Sequence, residues 1–130
     1  MEKQIALEYI DAINRKDITA LYNLMSIDHL FIDAHDNRIV GKDAMRQSWI
    51  DYFAMFPDYT IGIDEILEKD NLICFLGYAS GTYRNLKNEQ NSNYWKIPAA
   101  WTAIVRDNQV KQWQVYADNI IVTDIINRNN

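Results

Sequence analysis

Val105-Arg106-Asp107-Asn108-Gln109-Val110 leads directly into Lys111-Gln112-Trp113-Gln114-Val115-Tyr116-Ala117-Asp118. The first segment is a polar turn between two valines, and Asn108 suits the left-handed backbone that a tight hairpin demands. The second is uncharged from Gln112 to Ala117 and rich in aromatic and β-branched residues. It therefore reads as a strand, Val110 to Asp118, paired with a preceding strand, Trp95 to Val105. A period of two puts Gln112, Gln114, Tyr116 and Asp118 on one face and Trp113, Val115 and Ala117 on the other. Three polar-capable side chains beside Asp118 suit a wet cavity wall, which predicts a pocket carboxylate. The alternative is a strand-end residue hydrogen-bonded to the following turn.

Reading outward, the two-residue period continues upstream. Leu72 to Tyr83 is a long apolar strand interrupted by Gly77 and Gly81, which mark bends that let a sheet curve. Tyr59, Ile61, Ile63 and Ile66 mark another strand, joined to it by the turn Lys69-Asp70-Asn71, and residues 85–93 form a polar loop. Before Pro57 the period is near 3.6. Ile5, Leu7, Tyr9, Ile10 and Ile13 give an amphipathic helix over 3–15, and Asp17 caps a short second helix, Ile18 to Met25. A strand follows over 28–33, then the turn His35-Asp36-Asn37-Arg38. A third helix starts at Gly41-Lys42-Asp43 and stops at Pro57. The tail from Ile120 to Asn130 either extends the last strand or forms a short helix. Helices first and hairpin-linked strands after make residues 1–130 one α+β domain with a curved antiparallel sheet.

Composition narrows the function. A net charge of −5 without a Lys/Arg cluster argues against a nucleic-acid partner. No apolar run approaches a membrane span, and no leader pattern opens the chain, so the expected location is cytoplasmic. The one cysteine, Cys74, lies in the apolar run Leu72 to Leu76 and reads as a buried structural thiol. His29 and His35 are the only histidines, and nothing has metal-ligand spacing. No phosphate loop or nucleophilic triad is present, so neither metal nor organic cofactor is expected. Four Trp and eight Tyr exceed what a core of this size needs and point to a lined cavity or an interface.

Five segments occur in an order that resembles the NTF2-like superfamily, within it the SnoaL-like polyketide cyclase and ketosteroid isomerase-like branch. They are Ile39-Val40-Gly41-Lys42-Asp43-Ala44, Phe56-Pro57-Asp58, Ser80-Gly81-Thr82, Val105 to Val110, and Trp113 to Asp118. The resemblance implies a cone, a bent sheet wrapped around three helices, open at one end to a hydrophobic pocket. It also implies a homodimer built through the sheet. The aspartate closing the last strand is the usual acid/base of the cyclases, and Asp118 matches it. Where many relatives read Gly-Thr-His, this chain has Gly81-Thr82-Tyr83, and the usual hairpin glycine is Asn108.

These readings predict a small, mostly apolar ligand or substrate. If there is chemistry, it is a cofactor-independent isomerase, cyclase or lyase-type proton transfer at Asp118, with Tyr116 and Tyr78 as candidate oxyanion donors. Asp33 and His35 are expected at the pocket mouth, close enough to share a proton unless they only form a hydrophilic turn. Trp49, Phe53, Tyr83, Trp101 and Gln114 are the remaining candidate lining residues. The alternatives are a non-catalytic ligand-binding module and a dimerisation domain whose cavity is filled by side chains.

Overall fold

The apolar stripe of the first helix, α1 (Glu2–Arg15), buries Ala6, Tyr9, Ile10 and Ile13 against the sheet. Lys16 ends it in the left-handed conformation, φ 56°. Asp17 then caps α2 (Ile18–Leu24) by accepting from the Ala20 amide at 3.1 Å, as the sequence predicts. Met25, expected to close that helix, instead opens β1 (Met25–Ile32). The computed structural model describes residues 1–84 and 93–130. The remaining elements are β2 (Arg38–Val40), α3 (Lys42–Met55), β3 (Thr60–Lys69), β4 (Leu72–Thr82), β5 (Tyr94–Arg106), β6 (Gln109–Ala117) and α4 (Ile120–Arg128).

The six strands form one sheet in the order β2-β1-β6-β5-β4-β3. Only β1 and β6 run parallel, so the sheet is mixed. The fold is the expected α+β cone, with the helices against the concave face of a curved sheet. Curvature has a local cause at Gly77. The β3–β4 register shifts between Ile63 and Glu65, and a Cβ on Gly77 would sit 1.9 Å from the Gly62 carbonyl oxygen. Only glycine lets the two backbones approach that closely.

Three local outcomes differ from expectation. The hairpin uses Asp107 as well as Asn108 in the left-handed region, φ 52° and 60°, the pair of conformations that matches strand twist. Arg38–Val40 is a short strand pairing with β1, where a turn running into a helix start was expected. Cys74 is half-buried on the outer face, because it alternates with the buried Ile73 and Phe75. The tail resolves into α4, which buries Val122 and Ile125. The expected 85–93 loop falls largely on residues 85–92, outside the described residues.

Two polar anchors hold this frame. Asn14, at the end of α1, pairs with both backbone groups of Ile61 on the free edge of β3. Its Nδ2 donates to the Ile61 carbonyl at 3.1 Å, and its Oδ1 accepts from the Ile61 amide at 2.8 Å. Nearby, the Lys16 ammonium donates to the Tyr59 carbonyl. Between β1 and β6, His29 is fully buried, and its Nδ1 lies 2.7 Å from the Val110 carbonyl, which makes Nδ1 the protonated nitrogen. Burial pushes its pKa down, against a smaller opposing effect of that bond, so the ring is neutral.

Candidate functional site

A cavity of about 270 Å³ lies between α3 and the concave face of the sheet. Its origin is legible strand by strand. β5 presents Trp95, Ile97 and Ala99 inward, and β6 presents Trp113, Val115 and Ala117. Ala99 and Ala117 are register partners and lie side by side. Two methyl groups sit where larger side chains would meet α3, and the space they leave is the cavity. α3 closes it with Met45, Ser48, Trp49 and Tyr52, and Phe31 and Tyr59 complete the aromatic wall. Asp33 and Asn119, both just past strand ends, bring polar side chains in addition to Ser48, and Ala34 lies beside Asp33.

The wall is mostly apolar, and its polar atoms fall into three kinds. The Trp49 indole N–H is already used, donating to the Tyr9 hydroxyl at 3.1 Å. The rings of Tyr52 and Tyr59 meet edge to face at 4.9 Å and their hydroxyls interact. Burial pushes both phenols up and keeps them neutral; Tyr59 is eased slightly by Trp101 and Tyr52. The Trp101 N–H reaches toward the Tyr59 hydroxyl at a geometry outside a regular hydrogen bond. The Trp95 N–H has no hydrogen-bond partner among the described residues, although Trp95 is only 3% exposed. A buried unmet donor costs about 1–3 kcal/mol, and Trp95 is one of the side chains that line the cavity.

Asp33 is the one formal charge among the described lining residues. Its Oδ1 accepts from the His35 amide at 2.8 Å and the Asn37 amide at 2.9 Å, and its Oδ2 accepts from Asn37 Nδ2 at 3.1 Å. Partial burial pushes its pKa up, but the three N–H donors and His35 outweigh this and hold the carboxyl below its ordinary value. Asp33 is therefore an ionised acceptor and a weak base.

The residues predicted from sequence divide sharply. Trp49 and Asp33 border the cavity. Phe53 stacks behind Trp49 at 5.2 Å, Trp101 is fully buried in the core, and Tyr83 packs on Phe56 at 5.9 Å; none of the three borders the cavity. His35 is exposed; its amide donates to Asp33 Oδ1, and its ring acts on that carboxyl only through charge. Gln114, Tyr116 and Tyr78 lie on the outer face of the sheet, where the Tyr78 ring sits 4.9 Å from the Lys96 ammonium. Asp118 is exposed and its Oδ1 accepts from the Ile120 amide at 3.1 Å, a strand-end bond at the start of α4.

The expected parity of β6 is thus reversed. The inward face is Trp113-Val115-Ala117, because those apolar side chains meet α1 and α3, while the glutamines tolerate the outer surface. Tyr59 and Ala99 were missed as lining residues. A signal for them exists in the sequence: Trp-x-Ile-x-Ala at 95–99 and Trp-x-Val-x-Ala at 113–117 both taper from large to small along one strand face. Among the described residues, no group of His, Cys, Asp and Glu gathers as a metal site.

A family model described as a SnoaL-like domain matches residues 6–113. Among solved structures, a candidate SnoaL-like polyketide cyclase from Shewanella denitrificans OS-217 superposes with a TM-score of 0.81 at 17% identity, covering 98% of this chain and 97% of the other. Another from Jannaschia sp. CCS1 gives 0.82 at 14% identity, covering 96% and 90%. An LEH-like epoxide hydrolase of M. tuberculosis gives 0.79 at 11% identity, covering 98% and 90%. None of the curated proteins compared matches this sequence.

Proposed function

We propose that this chain, which belongs to the SnoaL-like domain family, binds a compact, mostly apolar metabolite between α3 and the sheet. The observation that carries the proposal is the hollow beside Ala99 and Ala117, walled by aromatics, one of which, Trp95, has an unmet indole N–H. Its volume of about 270 Å³ falls just under the range of about 300–1,000 Å³ usual for ligand sites. A small ring or branched chain with one carbonyl or hydroxyl oxygen fits: the carbon skeleton meets the aromatics and the oxygen accepts from Trp95.

Binding without chemistry is the first reading. An acid/base step at Asp118 would require that carboxylate to leave the Ile120 amide and reach across the strand, since the cavity lies on the opposite face of β6. A second reading, cofactor-independent proton transfer, is favoured by one observation: Asp33 is ionised and shares the cavity with the neutral phenols of Tyr52 and Tyr59. Asp33 would accept a proton beside a carbonyl, and a phenol or the Trp95 N–H would donate to the developing oxyanion. The site would then resemble the chemistry of the family with its acid/base on a different strand end.

A homodimer through the sheet belongs to the same proposal. Leu72, Leu76, Tyr78 and Tyr116 are 39–48% exposed on the outer face, the kind of apolar patch that a second copy covers. A cytoplasmic setting accords with the single free thiol, Cys74. Native mass spectrometry of gently purified protein tests the core of the proposal. A copurifying small molecule is expected on wild type, and Ala99→Phe, which fills the hollow, should lose it without changing the oligomer. Equal retention by the filled variant would contradict the cavity as the binding site.

A further inference from the structure

We infer that the cavity selects a small organic cation, an alkylammonium group on a molecule that also carries an acceptor oxygen, over its neutral and anionic counterparts. The inference rests on the cavity being the ligand site and adds the charge of the ligand to that reading.

Three independent features of the wall point the same way. First, among the described lining residues the only formal charge is negative: Asp33 borders the cavity, and none of these residues is a Lys, Arg or His. All the donors that Asp33 meets are neutral amides, and among the described residues no cation lies within ion-pair distance of it. Beyond its electrostatic interaction with the exposed His35 ring, this partly buried carboxylate attracts a cation and repels an anion. Second, Phe31, Trp49, Tyr52, Tyr59, Trp95 and Trp113 surround the space. Aromatic faces attract methylated ammonium groups, which are large, weakly hydrated and easily moved out of water. A neutral hydrocarbon of the same shape gains only the apolar contact. Third, the buried Trp95 N–H lacks an acceptor. A ligand that were only a tetraalkylammonium would leave it unmet, so the ligand carries a hydroxyl or carbonyl oxygen as well. The ionised state of Asp33 agrees with this, its pKa being held low by neighbouring N–H groups after burial has pushed the other way.

The experiment uses four probes: choline, its uncharged carbon isostere 3,3-dimethylbutan-1-ol, the anion 3,3-dimethylbutanoate, and tetramethylammonium, a cation without the oxygen. Each is titrated into the full-length protein by calorimetry. Choline is expected to bind at least tenfold more tightly than the alcohol, with the carboxylate weakest of all. Asp33→Asn, checked for folding by circular dichroism, should bring choline to within about threefold of the alcohol and leave the alcohol unchanged. Trp95→Phe keeps an aromatic ring, though a smaller one, and removes the N–H, so the advantage of choline over tetramethylammonium should disappear. If the alcohol binds as tightly as choline to wild type, the charge inference falls while the cavity reading survives. If none of the probes binds, both fall together.

Discussion

Replacing Asn14 by alanine should cost the fold about 2–3 kcal/mol, and the figure comes from two contacts. Asn14 satisfies both the amide and the carbonyl of Ile61, a residue only 4% exposed, on the sheet edge where no strand pairs with β3. Each such bond contributes about 1 kcal/mol net, and a buried backbone group left unmet costs about 1–3 kcal/mol. Asn14 is itself half-buried, so water reaches part of the gap and the total falls at the lower end. For 130 residues the unfolding entropy near 60 °C is about 0.27 kcal/mol/K, so the melting temperature should fall by about 7–11 °C. Urea unfolding followed by circular dichroism should show a lower midpoint at unchanged slope. Asn14→Asp refines the test: it keeps the acceptor for the Ile61 amide and sets a carboxylate against the Ile61 carbonyl. At neutral pH it should be as unstable as the alanine variant, recovering as acid protonates the carboxyl near pH 4 and restores a donor. Because Ile61 follows Tyr59, ligand affinity should weaken alongside stability. An alanine variant within 0.5 kcal/mol of wild type, a threshold below the net worth of even one bond, would refute this account of how α1 holds the cavity wall.

Other outcomes follow from the same geometry. Gly77→Ala puts a Cβ 1.9 Å from the Gly62 carbonyl, a backbone clash that only a register change relieves. It should cost about 3 kcal/mol or more, read as insolubility or a large drop in melting temperature. His29 is held neutral, so its folded pKa lies below the unfolded value of about 6.5 and the unfolded chain binds the extra proton. Its contribution is present above pH ~6.5 and is lost as pH falls toward the folded pKa, by up to about 1.4 kcal/mol per pH unit; a flat stability profile from pH 7 to 5 would contradict it. Asp118→Asn removes a charge from the exposed end of β6 and should leave ligand affinity within about twofold, whereas a tenfold loss, about 1.4 kcal/mol, would return that carboxylate to the site.

The order of elements was legible because period and punctuation agree along most of the chain: Asp17, Pro57 and Asn108 each act where their chemistry predicts. The site was less legible, for a physical reason. A two-residue period separates the faces of β6 but does not say which face meets the helices, and Asp118 made the polar face look like the interior. What decides the matter is long-range: Trp113 packs on Tyr9 at 5.2 Å and on Phe75 at 6.2 Å, contacts between residues far apart in the chain. The cavity itself arises from two alanines brought together by register, a pairing that neither strand reveals alone. Asp33 was identified from its place after the first strand, whereas its hold on the turn through Asn37 emerges only in three dimensions.

The indole N–H region of a ¹H–¹⁵N spectrum tests the central claim most directly. Three of the four tryptophans, Trp49, Trp95 and Trp113, border the cavity and Trp101 does not. Titration with a compact carbonyl compound such as cyclohexanone should move the Trp95 resonance furthest as its free N–H gains an acceptor, shift Trp49 and Trp113 less, and leave Trp101 nearly still. Saturating probe that leaves Trp95 unmoved would contradict a ligand site between α3 and the sheet.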